Sequence, residues 1–125
     1  MARTRIPDSE GEAALTDALA DLETAERASL ATASRYLLQL LADAHAGRSV
    51  ELRIPPFGAA QIVEGPRHTR GTPPNVVETD ARTLIALAAG TLAWADAVQD
   101  ARIHASGARS DLSALFPIAQ VRRPE

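Results

Sequence analysis

The hydrophobic period of this chain changes twice along its length, and those changes limit what it can fold into. Leu30, Ala33, Leu37, Leu40, Leu41 and Ala44 recur at three and four positions, the repeat of an α-helix. Beyond Gly47 the repeat drops to two. Val50, Leu52 and Ile54 alternate with Glu51 and Arg53, the pattern of a half-buried strand. At Asp80 the helical repeat returns in Ala81, Leu84, Ile85 and Ala88, with Leu87 at its margin. Such a chain is neither all-helical nor all-strand, and 125 residues make one domain.

In chain order, residues 1–8 read as an unstructured tail carrying two Arg and a Pro. Ser9 and Glu12 have capping-box spacing ahead of Leu15, Ala18, Leu19 and Leu22. Glu23, Thr24 and Glu26 interrupt that stripe, so a second helix is expected after them; one bent helix is the alternative. Gly47 suits the left-handed position after a helix. Pro55-Pro56 ends the first strand, because neither residue can donate to a ladder. A return there pairs it antiparallel with a second strand over Phe57–Glu64. Residues 65–74 form a loop punctuated by Gly and Pro at both ends. Asn75–Thr79 is a third strand, and Asp80 caps a helix that Gly90 closes. A short helix over Ala93–Asp100 is expected to bury Trp94 and Val98. Arg102–Ser106 is a fourth strand, with Ile103 and Ala105 opposite His104 and Ser106. Gly107 turns the chain into a last helix, Arg109–Leu115. The expected class is α+β with a mainly antiparallel sheet, and a fifth strand would have to come from the loop or the C-terminal residues. The domain runs over 9–118, and 119–125 is a tail.

Composition narrows the function. Two Phe, one Trp and one Tyr are the only aromatics, so the core must be Ala, Leu, Val and Ile. There is no Cys, which removes disulfides, thiolate metal sites and a Cys nucleophile together. The formal charge of −3 argues against wholesale nucleic-acid binding. The N-terminus lacks the apolar run of a secretory signal, and Leu84–Ala95 falls short of the roughly 20 residues that span a bilayer. These features predict a soluble cytoplasmic protein.

The residues offer one polar site. Arg67, His68 and Arg70, with the hydroxyls of Thr69 and Thr72, concentrate charge in the 65–74 loop. Charge-assisted hydrogen bonds from such a loop suit a phosphate or carboxylate headgroup. The competing reading pairs these Arg residues with Glu64, Glu78 or Asp80. His45, His68 and His104 are too scattered for a metal-ligand motif. Ser106, Asp111 and either His68 or His104 make a triad only on paper, without a nucleophile elbow. No catalytic residue, metal or cofactor is therefore assigned. Phe57, Ile62, Leu84, Trp94, Leu112, Leu115 and Phe116 suit a closed core and an apolar tunnel equally. Phe116-Pro117-Ile118 could plug a cavity mouth or dock on a second subunit of a homodimer.

Residues 79–116 resemble the C-terminal half of sterol carrier protein 2 domains. An acid and a Thr open a helix that ends at Gly90, a short helix follows, and basic Arg102 starts a strand that ends at Gly107. Two unbroken segments, Gly47-Arg48-Ser49-Val50-Glu51-Leu52-Arg53-Ile54-Pro55-Pro56-Phe57-Gly58 and Glu64 through Asp80, resemble a bacterial, largely actinobacterial, branch of that superfamily. The resemblance implies a five-stranded sheet covered by helices, with an apolar tunnel for fatty acid, acyl-CoA or sterol-like ligands. The chain departs from the wider pattern at Ala101, before the basic residue, and at Ala108, after the Gly. The resemblance implies a non-enzymatic lipid carrier. The alternatives are a ligand-free accessory or interaction domain of the same fold, and a part of a thiol-dependent maleylpyruvate isomerase system.

Overall fold

The computed structural model describes residues 4–65 and 75–122. Its elements are α1 (Asp8–Ala20), α2 (Arg27–Ala44), β1 (Val50–Ile54), β2 (Gly58–Ile62), β3 (Asn75–Thr79), α3 (Ala81–Ala89), α4 (Trp94–Gln99), β4 (Ile103–Ser106) and a 3₁₀ turn, Ser113–Leu115. The described residues form one four-stranded sheet in the order β2-β1-β3-β4. The expected α+β class holds, with four strands among these residues rather than five. The outer pairs, β1–β2 and β3–β4, are antiparallel, but the central pair β1–β3 is parallel. The strand ends account for the parallel pair: β2 ends beside the start of β1 on one side, and β3 begins beside it on the other.

One face of the sheet carries the core. Val50, Leu52, Ile54, Ile62 and Val77 are essentially inaccessible, while Glu51, Arg53, Val76 and Glu78 alternate onto the opposite, polar face. There Arg53 donates to Glu51. Helix α2 packs on the apolar face with Leu30, Ala33, Leu37 and Leu41. Each fully buried Leu stabilises the fold by about 1.5–3 kcal/mol relative to exposure.

Helix α3 is buried almost all round, with only Arg82 exposed. The sequence predicts a one-sided stripe, but α3 lies between α2 and the C-terminal segment, where Ile118 donates its N–H to the Ala88 carbonyl at 2.9 Å. Both caps form as expected. Asp80 accepts from the N–H and hydroxyl of Thr83, each at 2.8 Å, and Gly90 has φ 78°. Arg82 reaches back to the carbonyls of Leu22, Glu23 and Ala25. It thereby satisfies carbonyls of the α1–α2 turn and ties that turn to α3.

Several local expectations are corrected. The capping box of Ser9 and Glu12 does not form: α1 starts at Asp8, and the Pro7 carbonyl accepts from Glu10 and Gly11. The preceding residues are fastened to α2, with Ile6 exchanging two hydrogen bonds with Gln39 and Arg5 paired to Asp43 at 2.6 Å. Gly47 is required by close approach, since a Cβ there would collide with the backbone of Val63. Strand β2 is shorter than expected because Phe57 closes the turn onto Ile54 and Val63 turns left-handed at φ 66°. Helix α4 inverts its expected face: Ala97 is buried, Trp94 is half-buried, and Val98 is 47% exposed. The helix expected over 109–115 contracts to the 3₁₀ turn, because the Asp111 carboxylate takes the Ser113 N–H at 2.9 Å. That bond, with a further one from the Ser113 side chain, holds the Asp111 carboxyl below its usual range.

The α1–α2 contact yields two predictions. Gly11 leaves space that the Tyr36 ring fills, so a Cβ there would overlap the ring. Gly11→Ala gains about 1 kcal/mol of helix propensity but overpacks the contact, and is expected to destabilise by about 1–3 kcal/mol in urea unfolding; a stabilised variant would mean that α1 docks loosely. Burial, and then the hydrogen bond to Asp8 at 2.8 Å, push the Tyr36 hydroxyl from 10.0 up to about 12. The protonated form is thus favoured in the folded state. Its contribution is full below pH 10.0 and is lost as pH rises through about 12. The chain's single Tyr makes this readable by ultraviolet difference absorbance. Tyr36→Phe is expected to cost about 1 kcal/mol at neutral pH and to flatten stability across that alkaline window.

Candidate functional site

Arg67, His68, Thr69, Arg70 and Thr72 lie outside the described residues. The flanks of their loop are described, and both converge on Ser49 at the start of β1. Ser49 donates its N–H and hydroxyl to the Val63 carbonyl at 3.1 and 2.7 Å, and Val63 donates its N–H to His45. On the other flank, buried Asn75 donates Nδ2 to the Ser49 carbonyl at 2.7 Å. Asn75 Oδ1 accepts the Arg109 N–H at 2.9 Å. Gly65 fits because it lacks a side chain: a Cβ there would lie 2.8 Å from Ser49 Cβ and 3.4 Å from Arg109 Cδ.

This closed set of hydrogen bonds fixes both ends of the loop and brings the exposed Arg109 beside Gly65. Arg48, which donates to Gln61 at 3.2 Å, also precedes β1 at this end of the sheet. Cationic side chains at such an end can hold an anionic group. Sequence reading placed Asn75 only as the start of a strand. The available signal was a polar residue at an inward-facing strand position, which has to find partners once buried.

The apolar candidates separate. Ile62, Leu84 and Leu112 are in the core with at most 1% exposure. Phe57 is in the β1–β2 turn, under the Arg27 guanidinium at 5.1 Å, with its carbonyl accepting from Arg35 Nε. It sits at the opposite end of the sheet from Ile62. Trp94 and Phe116 stack at 6.2 Å and 15°, and Leu115 is half-buried. His104 and Ser106 project from β4 onto the polar face beside Glu78 and Val76. Among the described residues no hydrogen bond links them to each other or to Asp111, and no three His, Asp or Glu converge as a metal site.

Two clefts open elsewhere. One, of about 840 Å³, lies between α1 and residues 119–122; the other, of about 400 Å³, lies at the α1–α2 turn beside Asp17, Asp21 and Glu26. Neither is lined by the seven apolar candidates.

The Asn75 arrangement is open to direct test. Asn75→Ala leaves the Ser49 carbonyl and the Arg109 N–H without their partner, and is expected to cost about 1–3 kcal/mol in denaturant unfolding. Gln61→Ala, at an exposed position, is expected to stay within about 0.5 kcal/mol. Equal losses would mean that the hydrogen bonds do not hold the loop flanks.

Comparison with known proteins adds the relationship. Residues 26–118 match the family model described as bacterial SCP ortholog. No curated protein matches the sequence. The matched region takes in all four strands and helices α2 to α4, and leaves out α1 and everything beyond Ile118. The chain belongs to this bacterial family of sterol carrier protein-like domains.

Proposed function

We propose that this protein is a non-enzymatic carrier of an apolar small molecule with an anionic head, of the fatty acid, acyl-CoA or sterol-like class, working in the cytoplasm. The family match over residues 26–118 carries the reading. The apolar part of the ligand enters the layer between the sheet and helices α2 and α3. Phe57, Ile62, Leu84, Trp94, Leu112, Leu115 and Phe116 supply its lining. The headgroup meets Arg67, His68, Thr69, Arg70 and Thr72.

Two observations support this. The loop flanks are fixed by Ser49 and Asn75, which reduces the ordering cost of binding. Inside the apolar layer, Ser34 Oγ is fully buried and is the one such side-chain atom without a hydrogen-bond partner among the described residues. An unpaired buried hydroxyl costs about 1–3 kcal/mol, and a guest's polar atom would relieve that cost. Among the described residues no helix is long and apolar enough to cross a membrane.

A second reading, a ligand-free interaction domain, is favoured by one feature. Val98 on α4 is 47% exposed, next to the half-buried stack of Trp94 on Phe116. Such a patch fits a protein surface that anchors on aromatic residues.

Protein purified from bacterial cells is expected to show a discrete non-covalent adduct in native mass spectra, recovered as lipid in an organic extract. Arg67→Ala with Arg70→Ala is expected to weaken uptake of added acyl-CoA about tenfold, or about 1.4 kcal/mol. An empty protein that takes up no fatty acid, acyl-CoA or sterol removes the carrier reading and leaves the interaction domain.

A further inference from the structure

The cleft of about 840 Å³ is built entirely from residues outside the family match: Glu12, Leu15, Thr16, Leu19 and Ala20 on α1, and residues 119–122 on the facing segment. It therefore lies wholly outside the matched family region. Its origin is physical. On α1, Ala18 is fully buried while Leu19 is only partly buried at the margin of the core. After Ile118 the chain turns, with Val121 donating its N–H to the Ile118 carbonyl, and Val121 lands with 8% exposure opposite that stripe. The cleft floor is thus the partly open Leu19 with the edges of the buried Leu15 and Val121, between two walls.

The walls carry opposite charges. Glu12 lines the cleft from α1 and Arg122 from the facing segment. Both are exposed, and neither joins an ion pair among the described residues, where the pairs are Arg5–Asp43 and Glu51–Arg53. The volume is within the roughly 300–1,000 Å³ of small-molecule sites. From Glu12 to Ala20 the helical wall runs about 12 Å, enough for a medium-length alkyl chain.

We infer that this cleft binds a single-chain amphiphile with a zwitterionic head. The alkyl chain covers Leu15, Leu19 and Val121, the anionic part of the head meets Arg122, and the cationic part meets Glu12. A purely anionic head gains Arg122 but is opposed by Glu12, and a purely cationic head meets the reverse. Charge complementarity therefore selects the zwitterion over both. This site is separate from the carrier site proposed above and does not depend on it.

The test uses the full chain and three probes of equal chain length, each below its micelle concentration: dodecylphosphocholine, dodecanoate and dodecyltrimethylammonium. Amide chemical shifts and calorimetry are the readouts. Dodecylphosphocholine is expected to bind one to one, at least tenfold tighter than the other two, with shifts centred on residues 12–20 and 119–122. Ala20→Phe, which fills the cleft from an exposed position, is expected to abolish those shifts. Arg122→Glu is expected to weaken phosphocholine binding at least tenfold, and Glu12→Gln to narrow the preference over dodecanoate. The inference is overturned by no binding, by equal binding of all three probes, or by tightest binding of dodecanoate. Shifts centred instead on Leu84 and Ile62, unchanged by Ala20→Phe, would also overturn it while supporting the carrier site. Loss of the cleft shifts in Ala20→Phe with acyl-CoA uptake intact would support both sites separately.

Discussion

Burial of helix α3 on nearly every side is the constraint on which the rest of the structure depends. A helix of nine residues has too few backbone hydrogen bonds to persist alone. Its surroundings hold it: α2 on one flank, the C-terminal segment on another, Asp80 and Gly90 at its ends, and Arg82 tied to the α1–α2 turn. With only four aromatics in the chain, the core must be filled by many aliphatic contacts rather than a few large rings. Ala81, Ala86, Ala88 and Ala89 let neighbouring segments approach α3 closely, which suits an interior of native density.

The same economy shapes the polar end of the sheet. The connection from β2 to β3 has to pass the start of β1, and backbone groups passing a buried edge need partners. Ser49, Asn75 and the backbone of Val63 and Arg109 provide them. The loop with the densest positive charge in the sequence is thus anchored at both flanks by buried polar groups. The headgroup role proposed for it draws on the charge in the sequence and on those fixed flanks.

The matched family region and the residues that flank it differ in physical character. Among the described residues of 26–118 most apolar side chains are enclosed, and Ser34 Oγ is the buried side-chain atom without a hydrogen-bond partner. Outside that span, α1 and residues 119–122 leave an open, amphipathic cleft. Helix α1 is joined to the domain through the Gly11–Tyr36 contact, the Tyr36–Asp8 hydrogen bond and the Arg82 carbonyl contacts. A helix joined in this way extends the core on the α2 side without touching the sheet's hydrogen bonds.

The order of helices and strands was legible in the sequence, because periodicity and caps act over a few residues. Asp80 and Gly90 bound α3 as their side chains require, and the alternation of Val50, Leu52 and Ile54 faces the core as a strand must. The α+β class and the hairpin across Pro55-Pro56 follow from the same local rules. Three features of the fold needed the tertiary structure. The parallel β1–β3 pair depends on where a distant segment inserts, which no local pattern encodes. The exposure of Val98 depends on what Ala97 packs against, and a six-residue helix is too short for its own periodicity to decide its face. The contraction of the last helix reflects a contest between helix and the Asp111 side chain, which capping won. The candidate site divides in the same way. Charge in the 65–74 loop is visible in the residues, whereas its Ser49–Asn75 anchorage and the α1 cleft arise from side chains brought together across long separations in sequence.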